Sequence, residues 1–372
     1  MIETYGVKYL GSKNLLNEYI INIIKEDCKN VKTFIDVFTG TTRVAQAVRN
    51  ILKIPVITSD LSWASESYAY TFVHNKLNIH LLDKIKYLNS LEGVDGWITQ
   101  NYCDVLSKPN KQGKRTLVRF WQRENGKRAD AIRDAIEDMD LEHWEKMTLI
   151  TSLIFALDKV DNTTGVQQAC LKNWCKRSYN DLKLELLPPV SNAQAYAYNG
   201  AFDMDDIMRE ALPIGQHFTQ DVLEIDFPQA DVAYLDPPYS PHEYSTYYHI
   251  WDSIVKWDKP EVDLATNRRV DRCSHREEYS DDMKSPWNSK KTALDAFKNL
   301  IDRLPVRYIL LSYGSDSKVV DQRDLVEFCM HFRKVQIERI DYTRNIMHKI
   351  GNLKAQTEII GKNQELLILI EK

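Results

Sequence analysis

One stretch near the amino terminus constrains the fold more than any other part of the chain. Residues 33–38 form a run of β-branched, aromatic and aliphatic side chains, which is typical of a buried strand. The run ends at Gly40, and residues 43–48 behind it favour a helix. Residues 54–60 then form a second strand of the buried type, which ends in an acid. Strand, tight turn, helix and strand in this order predict a βαβ unit and therefore a parallel sheet.

The same alternation returns in the second half of the chain. Residues 230–235 and 307–313 have the composition of buried strands, with a helical segment at 293–304 between them. Residues 335–340 and 365–370 predict a closing pair of strands. An α/β fold with one central sheet is the simplest assembly of these elements.

A long segment that interrupts this pattern predicts an insertion. From about residue 61 to residue 212 the chain is more polar and mostly helical in character. We therefore predict a sheet domain made of residues 1–64 and 213–372, with an inserted helical domain at 65–212.

Composition excludes several classes of protein. The 372 residues carry a net charge of −4, which excludes a basic coat protein but leaves room for a local basic face that binds nucleic acid. The six cysteines include no CxxC pair, so we expect a reducing compartment and neither a disulfide framework nor a structural zinc site. The chain contains no apolar run of the ~18 residues that span a bilayer, and we expect a cytoplasmic protein without membrane contact.

The tetrapeptide Asp236-Pro237-Pro238-Tyr239 follows the predicted strand at 230–235. Each proline fixes its own φ and removes a backbone N–H donor, so the carbonyl groups of this turn have a preset direction. Ligands of open α/β sheets bind just beyond the carboxyl ends of the strands, where this turn lies. A carboxylate and a carbonyl together can accept both hydrogens of an exocyclic amine, and a tyrosine offers a flat face to a base. The motif therefore predicts a site for a base that carries an amino group.

The ends of the first two strands predict a second part of the same site. Asp60 ends the second predicted strand, and the Gly40 turn follows the first. An acid in this position binds ribose hydroxyls in dinucleotide folds. A phosphate-cradling GxGxxG is absent from the sequence, which is consistent with a nucleoside ligand that has no pyrophosphate.

These motifs, in this order, resemble those of the adenine-N6 DNA methyltransferases, in the group whose cofactor motif precedes the recognition domain and whose DPPY comes last. The resemblance extends to residues 8–13, 244–249 and 285–291, and so covers most of the chain. It implies a Rossmann-like class I methyltransferase sheet, a helical target-recognition insertion, and S-adenosylmethionine as the cofactor, without a metal.

The resemblance also implies roles for individual residues. The residues implied in catalysis are Asp236, Pro237, Pro238 and Tyr239. The residues implied in cofactor binding are Tyr9, Lys13, Asp36, Phe38, Thr39, Gly40, Thr41, Asp60, Asp221 and Val222. Thr42 stands where the family usually has a second glycine, and a Cβ there tolerates a close backbone approach less well.

The function implied is methyl transfer from S-adenosylmethionine to a flipped-out adenine at a specific DNA site. Such an enzyme serves a restriction-modification system, with a cognate restriction endonuclease as partner, or acts as a solitary methylase. Two alternatives of the same class are a cytosine-N4 and an RNA adenine-N6 methyltransferase, because an exocyclic amine beside a DPPY-like turn serves all three. The alternative of another class is a catalytically silent DNA-binding subunit.

A local excess of positive charge predicts where double-stranded DNA binds. Residues 108–133 contain nine basic and two acidic side chains, inside the segment that the resemblance assigns to target recognition. Weaker clusters lie near residues 176 and 268. The predicted DNA-binding residues are Lys111, Lys114, Arg115, Arg119, Arg123, Lys127, Arg128, Lys176, Arg177, Arg268 and Arg269.

Overall fold

A computed structural model describes most of the chain, namely residues 2–9, 11–74, 80–107, 109, 113, 115, 117–167, 169–187, 215–238, 243–263, 265–273, 277–278, 285–314, 317–342 and 363–372. The described helices are α1 (Asn17–Asp27), α2 (Arg43–Leu52), α3 (Trp63–Phe72), α4 (Leu81–Ser90), α5 (Trp97–Tyr102), α6 (Arg123–Asp138), α7 (His143–Val160), α8 (Tyr244–Tyr247), α9 (His249–Lys256), α10 (Ala293–Arg303) and α11 (Gln322–Cys329). The described strands are β1 (Phe34–Asp36), β2 (Val56–Asp60), β3 (Cys103–Leu106), β4 (Leu117–Arg119), β5 (His217–Thr219), β6 (Ala230–Leu235), β7 (Val262–Asp263), β8 (Arg268–Arg269), β9 (Val306–Gly314), β10 (Lys334–Tyr342) and β11 (Asn363–Glu371).

The centre of the fold is a seven-stranded sheet in the order β10-β11-β9-β6-β1-β2-β5. The pairs β5–β2, β2–β1, β1–β6 and β6–β9 are parallel, whereas β11 is antiparallel to both of its neighbours. From β1, the chain adds β2 and, after the insertion, β5 on one side, and then β6, β9, β10 and β11 on the other. The predicted α/β sheet and its closing pair of strands are therefore confirmed.

The central strands are buried on both faces, which explains why they read as continuous apolar runs. Successive residues of a strand point to opposite faces, and Phe34 and Ile35 accordingly belong to two different hydrophobic cores. Tyr308 and Leu310 of β9 join the first core, whereas Ile309 of the same strand joins the second.

The helical insertion packs against one of these faces and shares its core. Buried side chains of α5, α6 and α7 belong to the same cluster as Phe34 of the sheet and Trp251 of α9. Arg133 of α6 strengthens this junction, because its fully buried guanidinium donates hydrogen bonds to the carbonyl groups of Ile254 and Val255 at the end of α9. The insertion is thus continuous with the sheet in its packing, and its predicted bounds remain a prediction.

Carboxylate side chains cap the first turns of two helices in the insertion. The Asp130 carboxylate accepts hydrogen bonds from the backbone N–H groups of Gly96, Ile98 and Thr99 in the first turn of α5. Glu142 and Glu145 form a reciprocal capping box at the start of α7. Among the described helices, none combines the length and apolarity that a membrane crossing requires.

Candidate active site

Three carboxylates meet at one edge of the sheet. Asp36 ends β1, Asp60 ends β2, and Asp236 directly follows β6. Because β1 pairs in parallel with both β2 and β6, the carboxyl ends of these strands lie side by side. Later strands of the chain are added on both sides of β1, so the strand order reverses there. Open α/β sheets bind their ligands at such a switch point.

A pocket opens at this edge, and it brings together the residues that the sequence predicts to bind a cofactor. All ten of those residues line it, as do Asp236, Pro237 and Pro238. The predicted catalytic Tyr239 lies outside the described residues. The pocket thus unites the amino-terminal motif, the glycine turn, two strand ends and the proline turn, although the roles of these residues remain predictions.

The glycine turn has the backbone that its sequence requires, and Thr42 does not face the pocket. Gly40 has φ of +49° and Thr42 has φ of +60°, a left-handed conformation that costs a threonine about 1–2 kcal/mol. The Thr42 side chain is fully buried, where its hydroxyl accepts a hydrogen bond of 2.9 Å from Gln46 Nε2. Thr42 is absent from the lining of the pocket, so its Cβ does not obstruct a ligand there.

Asp60 is held in place by two backbone groups. Its Oδ2 accepts a hydrogen bond from the N–H of Gly40 at 2.8 Å, and its Oδ1 accepts one from the N–H of Ser62 at 2.9 Å. Burial nevertheless raises the pKa of this carboxyl, and these two hydrogen bonds oppose the rise. Each oxygen keeps a further lone pair, so the oriented carboxylate can accept hydrogen bonds from two neighbouring hydroxyls.

Asp36 is buried with one oxygen satisfied. Its Oδ2 accepts hydrogen bonds from Thr39 Oγ1 at 2.9 Å and from the N–H of Ala45 at 3.1 Å. Among the described residues, no donor reaches its Oδ1. Burial raises the pKa of Asp36 to about 7, against the lowering effect of the Thr39 hydrogen bond. A cationic ligand group would supply the partner that this oxygen lacks.

Asp236 belongs to a buried ionic cluster. Its Oδ1 lies 2.8 Å from the ammonium of Lys13, and the same ammonium lies 3.5 Å from Oε1 of Glu365. Lys13 and Glu365 are 6% and 0% exposed, whereas the Asp236 side chain is 15% exposed and faces the pocket. Burial raises the pKa of Asp236 to about 6, while the Lys13 charge lowers it and the Glu365 charge raises it further.

Aromatic side chains form much of the remaining wall. The Tyr9 ring stacks on Tyr248 with 4.3 Å between centroids, and Phe38 meets the edge of Trp287 at 5.0 Å. Sequence reasoning did not name Tyr248, Trp287 or Glu365 as site residues. The two aromatics lie in segments that carry the family resemblance, and Glu365 is an acid at the start of an apolar run, which is the signal that could have revealed it.

The predicted DNA-binding cations of the insertion lie mostly at the surface. Lys111 and Lys114 are outside the described residues, whereas Arg115 and Lys176 are exposed. Four further cations have a protein oxygen nearby, and these contacts are Arg119 with Asp104, Arg123 with Asp95, Lys127 with Glu124, and Arg128 with the carbonyl of Asn89. Ion pairs at the surface contribute about 0–1 kcal/mol, so Arg119, Arg123 and Lys127 could exchange their partners for phosphates, whereas Arg128 donates to a backbone carbonyl.

Two predicted DNA-binding arginines are paired with carboxylates of the protein. Arg177 lies 2.6 Å from Oδ1 of the fully buried Asp161, which also pairs with Lys8 at 2.7 Å. Arg269 is itself buried and pairs with Asp258 at 2.8 Å and Asp271 at 2.7 Å. The burial of Arg269 is unfavourable for a direct DNA contact, whereas Arg177 and Arg268 are half-buried and their roles remain predictions.

The sheet order and the pocket at its switch point define a doubly wound α/β fold of the Rossmann-like type that the sequence predicts. The family model of the D12 class N6 adenine-specific DNA methyltransferases matches residues 9–211 and 216–303. This match covers most of the chain, which therefore belongs to that family. The family predicted from the sequence motifs is thereby confirmed.

Curated relatives include modification methylases and type II methyltransferases. The chain is 27% identical to modification methylase StsI of Streptococcus sanguinis, over 98% of this chain and 51% of that protein. It is 28% identical to type II methyltransferase M.NlaIII of Neisseria lactamica, over 96% of this chain and 99% of that protein. It is 25% identical to type II methyltransferase M.FokI of Planomicrobium okeanokoites, over 85% of this chain and 46% of that protein. The chain thus spans about half the length of some relatives and nearly all of another.

Proposed function

We propose that this protein transfers a methyl group from S-adenosylmethionine to the N6 atom of an adenine in DNA, at a specific sequence and on a base turned out of the duplex. The observation that supports the proposal is the pocket that Asp236 and Asp60 share, because a carboxylate suited to an exocyclic amine and an oriented acid suited to ribose hydroxyls both line it. Membership of the adenine-specific family supports adenine over cytosine as the target.

The residues of the pocket fit the proposed cofactor. The two oxygens of Asp60 are directed by Gly40 and Ser62, which suits the paired hydroxyls of a ribose. The buried Asp36 Oδ1 suits an ammonium group, and the aromatic wall of Phe38 and Trp287 suits an adenine ring. S-adenosylmethionine carries all three groups, and when bound it supplies an electrophilic methyl group on a positively charged sulfur.

The proposed roles of Asp236 and Pro237 follow from the poor nucleophilicity of the adenine amine. The lone pair of an adenine amine is delocalised into the ring, so N6 attacks poorly unless its developing positive charge is stabilised. The ionised Asp236 carboxylate and the Pro237 carbonyl would accept the two N6 hydrogens and provide that stabilisation. The N6–carbon bond forms as the carbon–sulfur bond breaks, and N6 then loses one proton, for which Asp236 is the nearest proposed acceptor.

DNA contacts would come from the exposed cations of the insertion, which among the described residues include Arg115, Arg123 and Lys176. A base inside a duplex is out of reach of a pocket at the sheet edge, so the target must leave the stack before it reacts. Several relatives are modification methylases by name, and a cognate restriction endonuclease is accordingly the partner that we propose.

The decisive experiment compares genomic DNA from cells that express the wild type, Asp236→Ala or Asp226→Ala. Asp226 is a fully exposed acid of the same domain and serves as the matched control. Single-molecule sequencing should find N6-methyladenine at one short motif for the wild type and the control, and none for Asp236→Ala.

Each other outcome identifies a different error. A mark on the N4 atom of cytosine, or on RNA alone, would correct the substrate. Normal methylation by Asp236→Ala would show that Asp236 does not have the proposed role. If the folded wild type neither binds S-adenosylmethionine in calorimetry nor marks a nucleic acid, the protein is a silent DNA-binding subunit instead. If it binds the cofactor but marks no DNA, the substrate is RNA or a partner is missing.

A further inference from the structure

Glu365 is a buried carboxylate at the active-site edge that the proposed chemistry has not yet used. It lies near the start of β11, which runs antiparallel to β9, and its register partner there is Gly314 at the end of β9. Because β11 is reversed, its first residues reach the same edge as the carboxyl ends of the parallel strands. The side chain is completely buried within a strand that is otherwise almost entirely apolar towards the cores.

The contacts of Glu365 form a chain that ends at Asp236. Ser312 Oγ on β9 donates a hydrogen bond of 2.6 Å to Glu365 Oε1, and the Lys13 ammonium lies 3.5 Å from the same oxygen. Lys13 also reaches Asp236 Oδ1 at 2.8 Å and donates to the carbonyl of Gly11 at 3.2 Å. The Lys13 ammonium therefore lies between the two carboxylates, closer to Asp236 than to Glu365.

The cluster of Lys13, Asp236 and Glu365 has two acids for one cation, whereas a single ion pair has one of each. With both carboxylates ionised and Lys13 protonated, it carries a net charge of −1 in a largely water-excluded place. Lys13 and Asp236 alone would be neutral. A buried, uncompensated negative charge is costly, and such charges cluster where a reaction uses them.

We propose that Glu365 is a positioning residue for methyl transfer, which shares the Lys13 ammonium with Asp236 and so keeps the Asp236 carboxylate oriented and only partly neutralised towards the target amine. The inference rests on the proposed function. As the N6–carbon bond forms, the carbon–sulfur electron pair stays on sulfur and positive charge moves to N6, which then passes one proton to Asp236. A cluster of charge −1 stabilises that charge more than a neutral pair does.

The surrounding charges agree with this assignment. Glu365 is the acid whose charge acts on Asp236, Lys13 is the opposing cation, and the buried Tyr234 hydroxyl feels the charges of all three. The charge of Asp236 in turn acts on Asp36. Within this set, the Glu365 charge raises the pKa of Asp236 and the Lys13 charge lowers it. Removing either group should therefore move the titration of Asp236, and in opposite directions.

The test is the pH profile of the methyl-transfer rate under single-turnover conditions, with the full chain and saturating S-adenosylmethionine and DNA. Only ionised Asp236 accepts the N6 hydrogens, so the rate should fall on the acidic side as Asp236 becomes protonated. For Glu365→Gln, we expect the acidic limb to move to lower pH and the plateau rate to fall about tenfold or more. For Lys13→Gln, the acidic limb should move to higher pH.

Controls separate positioning from loss of structure. Glu371→Gln changes an acid at the far end of β11, which pairs with Arg307, and should leave the limb unchanged. Glu365→Asp should recover part of the rate. Thermal unfolding and the affinity for S-adenosylmethionine, measured on each variant, show whether the pocket is intact. If Glu365→Gln does not fold, Ser312→Ala, which removes the anchoring hydrogen bond but no charge, should still lower the plateau rate.

The outcomes also distinguish this inference from the proposed function. An inactive wild type overturns both. If the wild type methylates DNA and folded Glu365→Gln, or folded Ser312→Ala in its place, matches the wild type in limb and plateau, only the inference fails. A loss of affinity for the cofactor with an unchanged rate at saturation would likewise overturn it, because the effect would then lie in binding.

Discussion

The substitution Asp60→Asn tests whether the acid at the end of β2 binds the cofactor or merely holds two loops together. In the protein both carboxylate oxygens accept a backbone N–H, from Gly40 at 2.8 Å and from Ser62 at 2.9 Å. An asparagine has one acceptor oxygen and one NH2 group, so in either orientation one backbone N–H faces a donor. The substitution therefore disturbs one loop contact and also changes the group offered to a ribose.

The magnitudes of the two effects can be separated. A hydrogen bond to a charged group contributes about 1.5–3 kcal/mol, so the lost loop contact should lower the free energy of unfolding by about that amount. If Asp60 also binds ribose hydroxyls, the cofactor loses a second bond of the same kind. That loss corresponds to an affinity that is weaker by roughly tenfold to a hundredfold.

Calorimetry with S-adenosylmethionine and chemical denaturation measure both quantities on the same sample. The matched control is Asp130→Asn, because both Asp130 oxygens likewise accept backbone N–H groups, Oδ1 from Ile98 and Oδ2 from Gly96 and Thr99, but Asp130 does not line the pocket. Both variants should be destabilised, and only Asp60→Asn should lose affinity. An Asp60→Asn protein that is destabilised like the control but binds the cofactor within twofold of wild type would refute a direct role for Asp60.

Three further predictions follow from individual environments. Burial raises the pKa of Asp36 to about 7, and its ionised form should bind the cofactor ammonium. In calorimetry between pH 8 and pH 6, the affinity for the cofactor should therefore fall by at most about tenfold per pH unit as Asp36 becomes protonated. The variant Asp36→Asn should remove this pH dependence. Thr42→Gly relieves a left-handed threonine but loses the hydrogen bond from Gln46, so denaturation should show a change within about 1 kcal/mol, with cofactor affinity unchanged. Arg133→Met removes the buried donors that cap α9 and leaves their two carbonyl acceptors unsatisfied. Because each unsatisfied buried group costs about 1–3 kcal/mol, denaturant titration should show a free energy of unfolding that is lower by about 3 kcal/mol. A loss below 1 kcal/mol would contradict this reasoning.

The strands of the sheet were predictable because they are buried on both faces. A strand covered on both sides has apolar side chains at successive positions, as residues 230–235 and 307–313 do, and both segments are confirmed as β6 and β9. Strand β5 escaped prediction because it has only three residues, all half-buried, and so presents neither an apolar run nor an alternation. It is the outermost strand on one side of the sheet, and this position depends on its pairing with β2, which the sequence of β5 does not encode locally.

Only some residues of the candidate site were likewise predictable from the sequence. Asp36, Asp60 and Asp236 follow strands of one direction, so a sequence pattern alone predicts that they meet. Glu365 reaches the same edge only because β11 is reversed, a fact of topology that its neighbours in sequence do not reveal. Arg269 shows a second limit, since a cluster of cations in the sequence does not show which of them are buried and paired with carboxylates.

The charges around the pocket have a consequence for turnover if the proposed function holds. The acids that line it are Asp36, Asp60, Asp221, Asp236, Glu243 and Asp252, and the cations that line it are Lys13 and Arg43. Two of these acids, Asp36 and Asp252, are buried, where charge–charge interactions are weakly screened. S-adenosylmethionine has a positive sulfonium group, which methyl transfer converts to a neutral thioether. A pocket with an excess of acids therefore favours the methyl donor over the demethylated product, so the same charges that stabilise the reacting amine also promote release of the spent cofactor.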